Sequence, residues 1–188
     1  MISEYWLIAA AIAAVAVYTA AALKKKTPYD RIVLYVIFIL YMAGLIGVTM
    51  FPVIFDHSLM GAMDEPMYRI KIIPFETIME ELHSTSLFNA VVQLAGNIIM
   101  TVPFGLFFTL LYPRRHWYGH ILAALMLPLC IELTQLLLDV MTGTWYRTAD
   151  IDDIFLNFTG VIIGVLLCCA LPEKFRKRFL PGDKGGDI

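Results

Sequence analysis

Carboxylate and amide side chains lie inside segments of this chain that are otherwise apolar. Glu132 stands among leucine, isoleucine and cysteine residues, where a charge at mid-bilayer depth costs roughly 2.5–3.5 kcal/mol on insertion scales. Gln135 and Asp139 follow at positions i+3 and i+7, so the three side chains share one helical face. Because charges in such surroundings need partners, these residues predict a polar site.

The polar hairpin after this helix supplies further candidates, namely Arg147, Asp150, Asp152, Asp153 and Asn157. Asp150 is predicted to cap the next helix, and Asp153 falls in its first turn, where the helix dipole favours negative charge. These structural roles would not account for Asn157, one turn further along. Arg147 can neutralise Glu132 or Asp153, or bind a ligand's phosphate or carboxylate in bidentate fashion. The sequence does not choose between these roles.

The composition places this site in an integral membrane protein. Of the 188 residues, 60% are hydrophobic and 16% are charged, whereas about 25% of a soluble domain is charged. The length accommodates about five spans of roughly 20 residues and leaves no room for a separate soluble domain. The three cysteines fall in apolar segments, which argues against a disulfide framework. We expect one all-α transmembrane domain with spans at about 5–23, 32–55, 86–111, 117–138 and 151–171, and a basic cytoplasmic tail at 172–188.

Two features interrupt the apolar pattern. Between spans two and three, Pro74 would end an earlier helix, whereas Glu76 to Leu82 can form a short amphipathic one. We predict an interfacial or re-entrant segment there, with an exposed loop as the alternative. In the third span, Asn97 needs a partner within the bilayer, and Pro103 predicts a kink.

Basic residues select one orientation. With the N-terminus outside and the C-terminus inside, the inner segments hold eleven of the fourteen Lys and Arg residues, and the outer segments hold only Arg69, Lys71 and Arg147. The positive-inside rule therefore favours this topology. At 1.5 Å per residue, Asn97, Glu132 and Asn157 then lie about 15, 10 and 8 Å below the outer ends of their helices. Their shared depth predicts one outward-facing cleft.

Several of these residues belong to a pattern that resembles the VanZ-like membrane proteins. The matching pieces are IIPF at Ile72 to Phe75, GN at Gly96 to Asn97 with PFG at Pro103 to Gly105, IELTQ at Ile131 to Gln135, and R-x-x-D-x-x-D-x-x-x-N-x-x-G from Arg147 to Gly160. Together they cover about half the chain. The resemblance implies a multi-pass protein of the cell membrane connected with low-level resistance to the glycopeptide teicoplanin. It implies no settled reaction.

Two functional interpretations remain open. The first is a binding protein whose cleft holds an anionic lipid headgroup, a lipid-linked envelope precursor or a lipoglycopeptide through Asn97, Glu132, Gln135, Arg147, Asp150, Asp153 and Asn157. The second is a membrane enzyme acting on a lipid-linked phosphate, with a divalent metal held by Glu132, Asp150 and Asp153. Binding is favoured, because the cleft contains no histidine and no identifiable nucleophile. We therefore assign no catalytic residue and no cofactor, and we expect membrane lipid as a partner and no nucleic-acid binding.

Overall fold

The protein is described by a computed structural model over residues 5–51, 70–83, 86–113, 116–142 and 149–179. Its elements are α1 (Tyr5–Lys24), α2 (Tyr29–Met50), β1 (Ile70–Lys71), α3 (Glu76–Leu82), α4 (Leu87–Leu111), α5 (Trp117–Thr142), β2 (Ala149–Asp150), α6 (Ile151–Ala170) and α7 (Glu173–Lys177). Five of these helices (α1, α2, α4, α5 and α6) are long and apolar enough to cross a membrane. The predicted all-α membrane fold with five spans is thus confirmed in its helices, and the three cysteines are free thiols.

The helix ends differ from the predicted spans at two places. Helix α2 begins directly after Pro28, a few residues before the expected start, because proline suits the start of a helix and not its interior. Residues 52–55 of the predicted second span lie outside the described part. Helix α5 continues past the expected end to Thr142, and Asp139 and Thr142 are both buried. The polar face that begins at Glu132 is therefore longer than predicted.

Helices α4 and α6 form the most extensive helix contact of the bundle, and glycine makes it close. A Cβ atom added to Gly105 would lie 2.0 Å from the carbonyl oxygen of Val161, and one added to Gly164 would lie 2.0 Å from that of Val102. Helix α4 stays continuous through Pro103 at this crossing. Small residues on α6 thus form this contact surface, and it brings the polar residues of α4 and α6 together.

One end of the bundle is covered by the segment 70–83, which we call the cap. Strand β1 pairs in parallel with β2, with Ile70 opposite Ala149 and Lys71 opposite Asp150. Helix α3 follows, over the residues predicted from the sequence. The ring of Phe75 stacks on Phe155 of α6, with centroids 5.9 Å apart and planes 7° from parallel. The cap is thereby tied to the start of α6.

Candidate functional site

Glu132 connects α5 to the start of α6. Its side chain is 5% exposed, and its Oε2 accepts a hydrogen bond from the backbone N–H of Asp150 at 3.1 Å. Asp150 in turn accepts a bond from the N–H of Asp152 at 2.8 Å, so it is the N-cap of α6, as predicted. The carboxylate inside α5 therefore has a local function, since it fixes the residue that starts the next helix.

Asp152 is one of the polar candidates named from the sequence, but it is not among the seven predicted binding residues. It is fully buried, and its two oxygens accept hydrogen bonds from the backbone N–H groups of Phe75 at 2.6 Å and Ile78 at 3.1 Å. Phe75 has a left-handed backbone, with φ of 68°, which costs a non-glycine residue about 1–2 kcal/mol. The two charge-assisted bonds offset this strain and hold the cap on the bundle.

Asn97 and Asp153 join α4 to α6. The Asn97 amide donates to the Asp153 carboxylate at 2.5 Å. One turn deeper, the hydroxyl of Thr101 donates to the carbonyl oxygen of Asn157 at 2.9 Å and also lies within reach of two carbonyls of its own helix. Asn97 thus has the partner that its depth demands, and the polar layer spans both helices.

Asn157 has an unfilled acceptor. Its side chain is 1% exposed, and its Oδ1 has no hydrogen-bond partner within the described part of the chain. Leaving a buried polar atom unpaired costs about 1–3 kcal/mol. A donor from outside these residues is therefore expected at this position.

Gln135 faces a different neighbour. Its amide donates to the carbonyl oxygen of Thr49 on α2 at 3.0 Å, so it lies on the α2 side of α5 and has no such bond to α4 or α6. Arg147 lies outside the described residues. Of the seven predicted residues, the structure thus brings five together along the first turns of α6: Asn97, Glu132, Asp150, Asp153 and Asn157.

The carboxylates of this layer engage separate partners. Glu132 accepts from the backbone of β2, Asp150 from the first turn of α6, and Asp153 from Asn97. Within the described ranges, no group of three His, Cys, Asp or Glu side chains is arranged to hold a metal ion. On the cap surface, Lys71 pairs with Glu80, and the hydrogen bond that Lys71 donates to this carboxylate raises the pKa of Lys71. The arrangement offers hydrogen-bond acceptors and negative charge, with a cation on the cap.

The described part of the chain has five long apolar helices, and its acidic and amide side chains gather at the capped end. These features define a class of protein, a multi-pass membrane protein with a polar site at one end of its helix bundle. The sequence profile of the VanZ/LLP1 family matches residues 38–172. The chain therefore belongs to the VanZ/LLP1 family, which confirms the resemblance found in its motifs. No curated protein and no solved structure gives a significant match.

Proposed function

We propose that the protein is a cell-envelope binding protein of the cell membrane, acting in low-level glycopeptide (teicoplanin) resistance by holding an envelope ligand at its capped end. The ligand carries an anionic group for Arg147 together with hydroxyl or amide donors for the acidic layer. Lipid-linked envelope precursors, lipoglycopeptides and hydroxylated anionic lipid headgroups have this combination. Asn157, Glu132 and Asp153 are the acceptors that such donors would meet.

The unfilled acceptor at Asn157 carries this proposal. It lies at spanning depth on α6, one turn below Asp153, in a layer where water is scarce and an unpaired amide oxygen is costly. A structural role alone would leave this oxygen satisfied by its neighbours, as the Asn97 amide is. A ligand donor would fill it.

The proposal includes an orientation. Seven basic residues lie at the end opposite the cap: Lys24, Lys25, Lys26, Arg31, Lys174, Arg176 and Arg178. By the positive-inside rule this end would face the cytoplasm, so that the N-terminus and the cap lie outside. The cap would then be a re-entrant or interfacial segment at the outer surface, where envelope precursors and glycopeptides are met.

A metal-dependent enzyme acting on a lipid-linked phosphate is the competing interpretation. It requires Glu132, Asp150 and Asp153 to converge on one ion, whereas each engages a different hydrogen-bond donor. Incubation of the purified protein with a lipid-linked phosphate and Mg²⁺ distinguishes the two. We expect saturable binding without phosphate release, and release that EDTA abolishes would favour the enzyme.

The cellular test uses three variants at equal, quantified abundance in the membrane. Glu132→Gln keeps shape but removes the charge, Arg147→Ala removes the cation, and Glu81→Gln is a control that removes a carboxylate of α3 with none of these hydrogen bonds. We expect the first two to abolish the protein's effect on teicoplanin susceptibility and the third to retain it. If Glu132→Gln keeps the effect and unfolds at a higher temperature in detergent, its charge has no ligand role and the proposal fails.

A further inference from the structure

A second polar feature lies at the end of the bundle opposite the cap. A cavity of about 500 Å³ opens there between the end of α4, the start of α5, the last turns of α6 and the short helix α7. Thr109, His120, Glu173 and Arg176 contribute its polar groups, and Ile121, Ile162 and Val165 belong to its apolar wall. The size falls in the range of small-ligand sites, about 300–1,000 Å³. None of the residues of the capped site lines it.

His120 lines this cavity and has a ring nitrogen without a hydrogen-bond partner in the described ranges. The residue is 9% exposed, and its Nδ1 lies 3.3 Å from the carbonyl oxygen of His116. Because a carbonyl only accepts, Nδ1 carries the hydrogen, and Nε2 of the neutral ring is an acceptor. Nε2 is buried with no partner among the described residues. Phe108 packs edge-on against the ring, with centroids 5.7 Å apart, and fixes its plane.

Arg176 also lines the cavity and has a side-chain donor without a partner in the part of the chain that the structure describes. Its Nε is buried without a hydrogen-bond partner in the described ranges, although a guanidinium is always charged and strongly favours a planar anionic partner. The two unsatisfied atoms have opposite requirements. Arg176 calls for an anion, and His120 calls for a hydrogen-bond donor.

The remaining wall identifies the rest of the ligand. Ile121, Ile162 and Val165 are aliphatic and belong to membrane-spanning helices, so they suit hydrocarbon. Trp117 borders the cavity and is 78% exposed, as is typical of tryptophan at the boundary between headgroups and acyl chains. An occupant with an anion, a hydroxyl and a hydrocarbon chain would meet the requirements of Arg176, His120 and this aliphatic wall.

We propose that this cavity is a binding site for an anionic glycerophospholipid with a hydroxyl-bearing headgroup. Arg176 binds the phosphate, a headgroup hydroxyl donates to Nε2 of His120, and an acyl chain lies along Ile121 and Val165. The site is separate from the capped end, so its failure leaves the proposed function untouched.

The test is native mass spectrometry of the full chain in detergent, titrated with three lipids of equal chain length. Phosphatidylglycerol has the anion and the hydroxyls, phosphatidylmethanol has the anion alone, and phosphatidylcholine has no net charge. We expect phosphatidylglycerol to bind at least about fivefold more tightly than either. A charge-assisted hydrogen bond of about 1.5–3 kcal/mol corresponds to a factor of about 10 to 100 in Kd, so Arg176→Gln should weaken binding by at least tenfold.

Arg178→Gln is the matched control. Arg178 lies two positions after Arg176, and its substitution by Gln removes the same charge. Its side chain pairs with Asp30 at 3.1 Å and does not line this cavity. We expect it to leave the affinity for phosphatidylglycerol within twofold. Equal losses in the two variants would reduce the effect to general attraction by a basic tail and overturn the proposal.

Two variants of His120 test the hydroxyl contact. His120→Phe should erase the preference for phosphatidylglycerol over phosphatidylmethanol, whereas His120→Gln, which keeps an acceptor, should retain part of it. Unchanged preference in both would refute the assigned contact. Competition with free glycerol 1-phosphate should not displace the lipid, and displacement would show that a soluble phosphate ester, not a lipid, is the ligand.

Discussion

Replacing Gly160 by alanine should separate α4 from α6 and lower stability. The added Cβ would lie 2.2 Å from the carbonyl oxygen of Ile98 and 2.2 Å from Oγ1 of Thr101. Ordinary contact begins at 3.4 Å, so the helices must part by about 1.2 Å at a crossing where backbone meets backbone. Overpacking of this kind costs typically 1–3 kcal/mol, partly offset by the gain in helix propensity of about 1 kcal/mol.

The assay is thermal unfolding of purified protein in detergent, followed together with abundance in the membrane. For a chain of this size, the remaining loss of up to about 2 kcal/mol lowers Tm by up to roughly 8 °C. Gly160→Leu adds more volume at the same place and should reduce abundance as well.

Gly96→Ala is the matched control for Gly160→Ala. It makes the same change in α4, where nothing lies within 4 Å of the new Cβ, so it should be neutral or stabilising. If Gly160→Ala unfolds at the same temperature as Gly96→Ala, the α4–α6 crossing does not have the closeness described, and the alignment of Asn97 and Thr101 with α6 is wrong.

Three further predictions concern the cap, the bundle and the orientation. Asp152→Ala removes both oxygen acceptors for the cap, so hydrogen exchange at the amides of Phe75 and Ile78 should accelerate at least about tenfold. Asp30→Asn is the control, and equal exchange rates in the two variants would contradict the contact. Tyr41→Phe deletes the hydroxyl that donates to the carbonyl of Met100 at 2.7 Å and should cost about 0.5–1.5 kcal/mol in thermal unfolding; no loss would mean that solvent or another donor replaces this bond. In a background without native cysteines, an impermeant reagent applied to cells should label Ser3→Cys, Met63→Cys and Thr144→Cys but not Arg115→Cys, and labelling of the last would refute the orientation.

Local signals predicted much of this fold. Hydropathy located the five helices, Pro74 and the pattern after it located α3, and the position of Asp150 before an apolar run identified it as a cap. Each of these features depends on residues within one or two turns of each other, which is the range over which sequence periodicity is informative.

The remainder depends on contacts between distant segments. Asp150, Asp152 and Asp153 are equivalent as acids in one short stretch, and the hydrogen bonds from Phe75 and Ile78 show that Asp152 is the one that accepts from the cap. Gln135 shares a helical face with Glu132 but bonds to α2, because the arrangement of helices around α5 is not encoded in its own periodicity. The sequence names Asp152 among the polar candidates, but its bonds to the cap join residues 77 and 74 positions apart, which local patterns do not reveal.

Some buried polar atoms of this protein have a hydrogen-bond partner and others have none within the described residues, and this difference decides which residues can report on ligand binding. The bonds of Asp150 and Asp152 stay within the protein and build the start of α6 and the cap, so substitutions there will change folding together with any activity. Asn157 and His120 each keep one buried atom without a described partner, at opposite ends of the bundle. Satisfied polar networks specify a structure, whereas an unfilled acceptor costs free energy until something donates to it. We therefore expect substitutions of Asn157 and His120 to weaken ligand binding without changing stability. Among the described residues, the neighbouring helices make no hydrogen bond to the atom that such a substitution removes.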